Sequence, residues 1–371
     1  MKRIQSCIGP PGPPILGGER RRLCSIALSH FIQIGKSAFF AAFVALTAGC
    51  QRPNQVSSDS SASGGDCRMI THEAGETQVC GRPQKVATLG PSLLELSLTL
   101  ETQPIGHAEY FPFPTERFDQ PSEQIPYLGQ RMTGQPFNVG TAESPSLDAI
   151  AKLKPDLILG DITKNKDEYA LLSKIAPTLL FDYSGAETTW QSDLKALGQA
   201  LQKSQKAEAV IAESEQRLAK LKQDFKPLVT RQPNVLLLLS EQINQGVRIE
   251  TPNSSCGALL EEVGFQVLVP SELAQSDQDS HVISLEALPE LKADWILIEG
   301  FNSDITAKAR SPEERQLQTV RKTWEGDAIA QSLPASKEGK VYFTTVYLCH
   351  ALLGPLGTDL FLSDLRQQLS R

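Results

Sequence analysis

The chain has 371 residues, 40% of them hydrophobic and 21% charged, with a formal net charge of −7. That length and apolar content suffice for two domains with proper cores. Six basic residues stand against Glu19 in the first 49 positions, so the remainder carries −12; a body that acidic is a poor match for nucleic acid or anionic lipid surfaces.

The first segment reads as a targeting signal. Basic residues run up to Lys36, an apolar run fills residues 37–46, and Thr47-Ala48-Gly49 precede Cys50. The run is too short to span a bilayer, and small residues stand before the cysteine, as signal cleavage requires. It resembles a bacterial lipobox, with Thr47 where that motif prefers Leu. Residues 1–49 are then a lipoprotein signal peptide and Cys50 the acylated mature N-terminus; an uncleaved anchor or a cleaved soluble protein is the alternative. Arg20-Arg21-Arg22-Leu23 hints at twin-arginine rather than Sec export. Residues 50–66, rich in Ser and Gly, form a flexible polar tether that clears the headgroups.

Past that point four cysteines remain, Cys67, Cys80, Cys256 and Cys349. Cys67 and Cys80 flank two short β-like runs joined by Glu73-Ala74-Gly75, a hairpin whose open end a disulfide could close, adding about 3 kcal/mol by the loop-closure argument. Cys256 with Cys349 is the remaining pair. An even number suits an oxidising compartment; four free buried thiols are an equally open reading.

The body alternates strand and helix patterns. Strands are predicted at residues 86–89, 156–159, 178–181, 235–239, 267–269, 295–298 and 341–343, with helices after the first two, which indicates α/β architecture with parallel sheets. Residues 147–160 (LDAIAKLKPDLILG) and 285–298 (LEALPELKADWILI) agree at seven of fourteen positions. Each copy is a short helix, a turn and a buried strand, so the chain is predicted to hold two similar lobes, residues 67–203 and 228–371. Between them, residues 204–226 lack Gly and Pro and place Ala207, Val210, Ile211, Ser214, Leu218, Leu221 and Phe225 at helical spacing. One helix, with Ser204 as its N-cap and Pro227 at its end, is predicted to link the lobes as a strut of about 35 Å.

Two α/β lobes, a rigid linking helix and a lipobox resemble the iron–siderophore class of ABC-transporter substrate-binding proteins, the class III periplasmic binding protein architecture, which also includes cobalamin, haem and iron-citrate binders. The resemblance covers nearly all of residues 67–371. It rests on residues 86–95 (VATLGPSLLE), Ser146-Leu147-Asp148 with residues 153–160 (LKPDLILG), residues 175–178 (IAPT), 256–265 (CGALLEEVGF) and 339–343 (GKVYF), and on Gly354-Pro355 before the last helix.

What it implies is capture and delivery without catalysis. The cargo would be a ferric siderophore or similar iron chelate, with cobalamin or haem as the alternative. The chain would be a periplasmic or outer-face monomer, anchored to the membrane through lipid alone, serving a permease dimer with a separate ATPase. In that family one rim carboxylate per lobe meets permease arginines; those positions fall here on Asp148, where Glu is usual, and Glu261. Loops at the carboxyl ends of strands should line the cleft, making Tyr110, Phe111, Arg131, Arg248, Phe301 and Tyr347 the ligand candidates: arginines for chelate oxygens, aromatics for its apolar faces.

Other classes find less support. A bare metal ion needs three or four convergent ligands, and His72, His107, His281 and His350 are scattered, so no cofactor or protein-held metal is expected. No GxSxG, P-loop or GxGxxG occurs; His72-Glu73-Ala74-Gly75-Glu76 lacks the second histidine of a zinc-protease motif, and Cys349-His350 would point apart in a strand. A non-transport surface lipoprotein stays open.

Overall fold

A computed structural model describes residues 66–183, 190–304 and 309–369; the signal peptide, Cys50 and nearly all of the tether lie outside the described residues. The body opens with strands β1 (Cys67–His72) and β2 (Gly75–Cys80), an antiparallel hairpin in register Cys67↔Cys80. The Cys67–Cys80 disulfide closes its open end, as the spacing suggested. The hairpin lies on the edge of the first lobe, where His72 Nδ1 accepts the Leu180 N–H at 3.2 Å.

The first lobe is built on β3 (Val86–Thr88), β4 (Gly106–Glu109), β5 (Phe137–Thr141), β6 (Ser144–Pro145), β7 (Leu157–Asp161) and β8 (Thr178–Phe181), in sheet order β6-β5-β4-β3-β7-β8. All neighbours are parallel except β5 and β6. The second lobe is built on β9 (Asn234–Ser240), β10 (Val247–Glu250), β11 (Gln266–Val267), β12 (Ser280–Ile283), β13 (Trp295–Gly300) and β14 (Val341–Thr345), in order β12-β10-β9-β13-β14, with β11 also on β9. Strands β10 and β12 run antiparallel, so this sheet is mixed rather than parallel as expected. Strand β4 escapes an apolar-run search because Gly106-His107-Ala108-Glu109 is half polar, although all four residues are buried.

The internal repeat has a structural cause. Its two strands, β7 and β13, are the equivalent central strands of β3-β7-β8 and β9-β13-β14. The shared aspartate does the same work in each. Asp156 accepts backbone N–H bonds from Gln84 at 2.9 Å and Lys85 at 2.7 Å, just before β3. Asp294 accepts the Asn234 N–H at 2.9 Å, at the start of β9. Each thus satisfies a strand-entry donor that would otherwise be lost. The short helix is α-helical in the first copy (Leu147–Leu153), but in the second it is a 3-10 turn (Leu285–Glu290) containing Pro289, which removes a helical donor.

The linking helix spans Ser204–Val229. Lys203, not Ser204, is the N-cap, and no side chain caps that end. Pro227 does not stop the helix at once; it lacks the N–H that would bond back to the preceding turn, and the helix ends two residues later at Val229. Ala207 and Ile211 pack into the first lobe's core, Leu221 and Phe225 into a second cluster. That second cluster crosses between the lobes: Leu94, Leu98, Phe118 and Leu128 meet Leu237, Leu297, Leu352 and Phe361. Each such side chain is worth about 1.5–3 kcal/mol when buried, so the seam resists wide separation and leaves small hinge motions. Cys256 and Cys349 are joined, tying the Ser255–Glu262 helix to the segment after β14. That segment, Tyr347–Ala351, is a π-helical turn rather than the strand the sequence suggested for Cys349-His350. The two side chains diverge even so, Cys349 to Cys256 and His350 to Glu299.

Candidate functional site

Strands of both sheets end at one place. Tyr110 and Phe111 follow β4, Phe301 follows β13 and Tyr347 follows β14. The fold gathers these four sequence-predicted residues, with Leu239 at the end of β9, around Val346, Tyr347 and Ala351. Ring centroids lie 5.1 Å apart for Tyr110 and Phe111, 5.9 Å for Tyr110 and Tyr347, and 6.3 Å for Phe111 and Tyr347. The rings of one lobe therefore touch those of the other, and a ligand entering here has to part them.

Polar groups pin this cluster. Tyr347 is buried and donates its hydroxyl to Glu109 Oε1 at 2.9 Å. Burial and the Glu109 charge push its phenol well above the ordinary range, so it stays a donor. Tyr127, which the sequence did not single out, joins the cluster, its hydroxyl 3.0 Å from Thr345 Oγ1 and its backbone N–H donating to Glu313 at 2.8 Å. His107 stands behind, Nε2 3.4 Å from Glu109 Oε2.

Two cations act on the cluster. Lys164 lies 5.9 Å from the Tyr110 ring centre and pairs with Asp161 at 3.1 Å. Arg315, from the Pro312–Gly326 helix, acts by its charge on the Tyr347 hydroxyl, and its buried Nε has no hydrogen-bond acceptor. Sequence reasoning missed Arg315 because it sits inside a helix pattern, not after a strand. A half-buried guanidinium with a free donor is suited to an anionic oxygen.

The other predicted arginines sit elsewhere. Arg248 is exposed on β10, bonds Ser280 Oγ at 2.7 Å, and lines with Phe301 a neighbouring hollow of about 440 Å³. Arg131 is exposed on the 3-10 turn Gly129–Arg131, its charge acting on Glu95 and Asp359 beside the interlobe seam. A further hollow of about 400 Å³, lined by Trp190, Leu218, Leu259 and Leu352, offers Glu215 and Glu262 but no cation. The two acids expected at the rim are exposed: Asp148 in the first turn of a helix capped by Ser146, and Glu261 accepting the Val267 N–H at 2.8 Å. Among the described residues, Glu250 and Glu299, far from it in sequence, stand beside His350.

Comparison with known proteins places this geometry. The family described as periplasmic binding protein matches residues 119–348. The chain is 25% identical over 303 residues to the Fe(3+)-citrate-binding protein YfmC of Bacillus subtilis, covering 80% of this chain and 84% of that one. It is 26% identical over 294 residues to the probable siderophore-binding lipoprotein YfiY of the same organism, covering 78% and 83%. Staphylococcus aureus SirA, solved with staphyloferrin B, superposes with a TM-score of 0.62 at 23% identity, covering 82% of this chain and 98% of that one. That likeness shows a shared fold, the class III arrangement of two α/β lobes on one linking helix. Matched over more than half its length, the chain belongs to the periplasmic binding protein family.

Proposed function

We propose that this chain captures an anionic ferric chelate between its lobes and delivers it to an ABC importer, held at the outer face of the membrane by acylated Cys50. The observation that carries the reading is the aromatic cluster drawn from both lobes at the carboxyl ends of β4, β13 and β14, with the unmatched Arg315 donor, whose charge acts on Tyr347. A chelate whose iron is already coordinated needs no ligand residues from the protein. It needs apolar faces for its carbon skeleton and fixed donors for its oxygens.

In this reading residues 1–49 are removed, 50–66 tether the body, 67–203 and 228–371 are the lobes, and 204–227 link them. A bound chelate keeps Tyr110 and Phe111 in one lobe bridged to Phe301 and Tyr347 in the other. Asp148 and Glu261, one per lobe, present the bridged spacing to a permease dimer whose separate ATPase supplies the energy. The protein works as a monomer, by binding alone. The names of YfmC and YfiY support iron-citrate or siderophore cargo.

The test is a fluorescence titration read from tyrosine and from Trp190, Trp295 and Trp324. Ferric citrate, hydroxamate and catecholate chelates, haem and cobalamin are each added to the protein. Saturable quenching by one ferric chelate supports the reading. Quenching by haem or cobalamin alone moves the cargo to that class, and a panel without response overturns capture altogether.

A further inference from the structure

Below the cleft, three side chains from separate elements of the second lobe converge. Glu250 ends β10, Glu299 lies near the end of β13, and His350 sits in the π-turn after β14. His350 Nε2 is 2.9 Å from Glu299 Oε2 and 3.9 Å from Glu250 Oε2. The two glutamates are 1% and 0% exposed and His350 29%, so the group is closed except on the imidazole side.

The hydrogen bonding is incomplete. Beyond the contact with His350, Glu299 Oε1 is buried without a donor, and neither oxygen of Glu250 has a well-formed hydrogen bond, with the Ser254 hydroxyl beside it. Buried carboxylate oxygens without a partner are costly, and one imidazole cannot supply two carboxylates. Protons alone could neutralise the group, as Glu250 carboxylic acid beside a His350 imidazolium, but that leaves acceptor oxygens unmatched.

We propose that Glu250, Glu299 and His350 form a binding site for a divalent first-row transition ion of the zinc or manganese kind, separate from the chelate cleft. Ligand atoms about 2.1 Å from a tetrahedral ion lie roughly 3.4 Å apart, and the two measured spans, 2.9 and 3.9 Å, bracket that value. All three ligand atoms fall within 4.8 Å of one another. One imidazole nitrogen and two carboxylates suit borderline and hard ions. The nearest sulfurs, Cys256 and Cys349, are joined to each other, so no thiolate is present to favour a soft ion. The half-open imidazole side gives the ion a way in and leaves room for water in the remaining positions.

The inference stands on this geometry and does not depend on what the cleft carries. The test uses the full untagged chain in detergent, stripped with EDTA and dialysed. Calorimetric titration with ZnCl2 and MnCl2 should give about one equivalent bound for at least one ion, and the thermal midpoint should rise by several degrees. Glu299→Gln and His350→Ala should each weaken that binding by tenfold or more, while His281→Ala should leave it unchanged. Circular dichroism of each variant without metal separates lost binding from lost fold, and the milder Glu250→Gln serves if either variant unfolds. No heat and no thermal shift with either ion overturns the site. So does binding that persists undiminished in folded His350→Ala and Glu299→Gln.

Discussion

Glu95 of the first lobe caps the last helix of the second, accepting the Gly354 N–H at 2.9 Å; its other oxygen accepts from Gly357 at 2.8 Å. Beside it, Ser92 donates to the Ala351 carbonyl at 2.7 Å. The Pro91–Thr99 helix is thereby bonded, as well as packed, to the start of the Pro355–Leu369 helix across the seam. A carboxylate at a helix N-terminus gains from unsatisfied donors and the helix dipole.

That carboxylate has a pH signature. Burial raises it from an ordinary 4.5 to about 7, against the pull of the donated N–H bonds and of Arg131. Below 4.5 it is protonated folded or unfolded and costs nothing. As pH climbs from there to about 7 the unfolded chain releases the proton first, so stability falls by up to about 3 kcal/mol. Urea melts at pH 5 and pH 8 should show the wild type more stable at pH 5. Glu95→Gln should reduce that difference, leaving contributions from Asp193 and Glu250, which burial also raises to about 7, and from His350, which Glu299 holds at about 9 against the pull of burial. An unchanged slope would sink this account of Glu95.

Gly354 is required by the same contact. A Cβ there would sit 2.8 Å from the Glu95 carboxyl carbon and 2.8 Å from Oε1. Gly354→Ala should cost about 1–3 kcal/mol, as overpacking does. Because the clash is with Glu95 itself, Gly354→Ala and Glu95→Ala should be clearly non-additive in a double-mutant cycle. Additive melts would place the strain elsewhere.

The two disulfides close loops of different length, 13 residues for Cys67–Cys80 and 93 for Cys256–Cys349. Loop-closure entropy makes them worth about 3 and about 4.5 kcal/mol respectively. Denaturant melts of the two Cys→Ser pairs should therefore show the Cys256/Cys349 pair losing more. The reverse order would mean that residual structure in the unfolded chain outweighs loop length.

Among the arginines, position predicts effect. Arg315→Ala should weaken capture of an anionic chelate tenfold or more in the fluorescence titration, about 1.4 kcal/mol, with melting little changed. Arg131→Ala, whose charge lies by the seam, should change it less than twofold. Equal effects of the two would detach the cleft from Arg315.

Docking separates from capture. Asp148→Ala with Glu261→Ala should leave the chelate titration intact and abolish uptake in whole cells, because both acids are exposed and neither belongs to the ring cluster. Uptake that survives the double change would remove these two residues from the permease contact.

The strand–helix alternation, the two-lobe plan and the linking helix were legible because they rest on local, periodic signals: apolar runs, the repeat over 147–160 and 285–298, and a stretch free of Gly and Pro. The aspartate of that repeat is readable for the same reason, since it bonds a strand entry in each copy. The rule that loops after parallel strands line a cleft selected Tyr110, Phe111, Phe301 and Tyr347, which the structure unites. Tertiary structure alone decided the rest. Arg315 lies in a helix with no local mark, and Glu250, Glu299 and His350 meet only because β10 runs antiparallel to β9, β13 parallel to it, and a π-turn follows β14. Side chains brought together from 50 to 100 positions apart leave no periodicity to read, since nothing in local spacing records which distant strand becomes a neighbour.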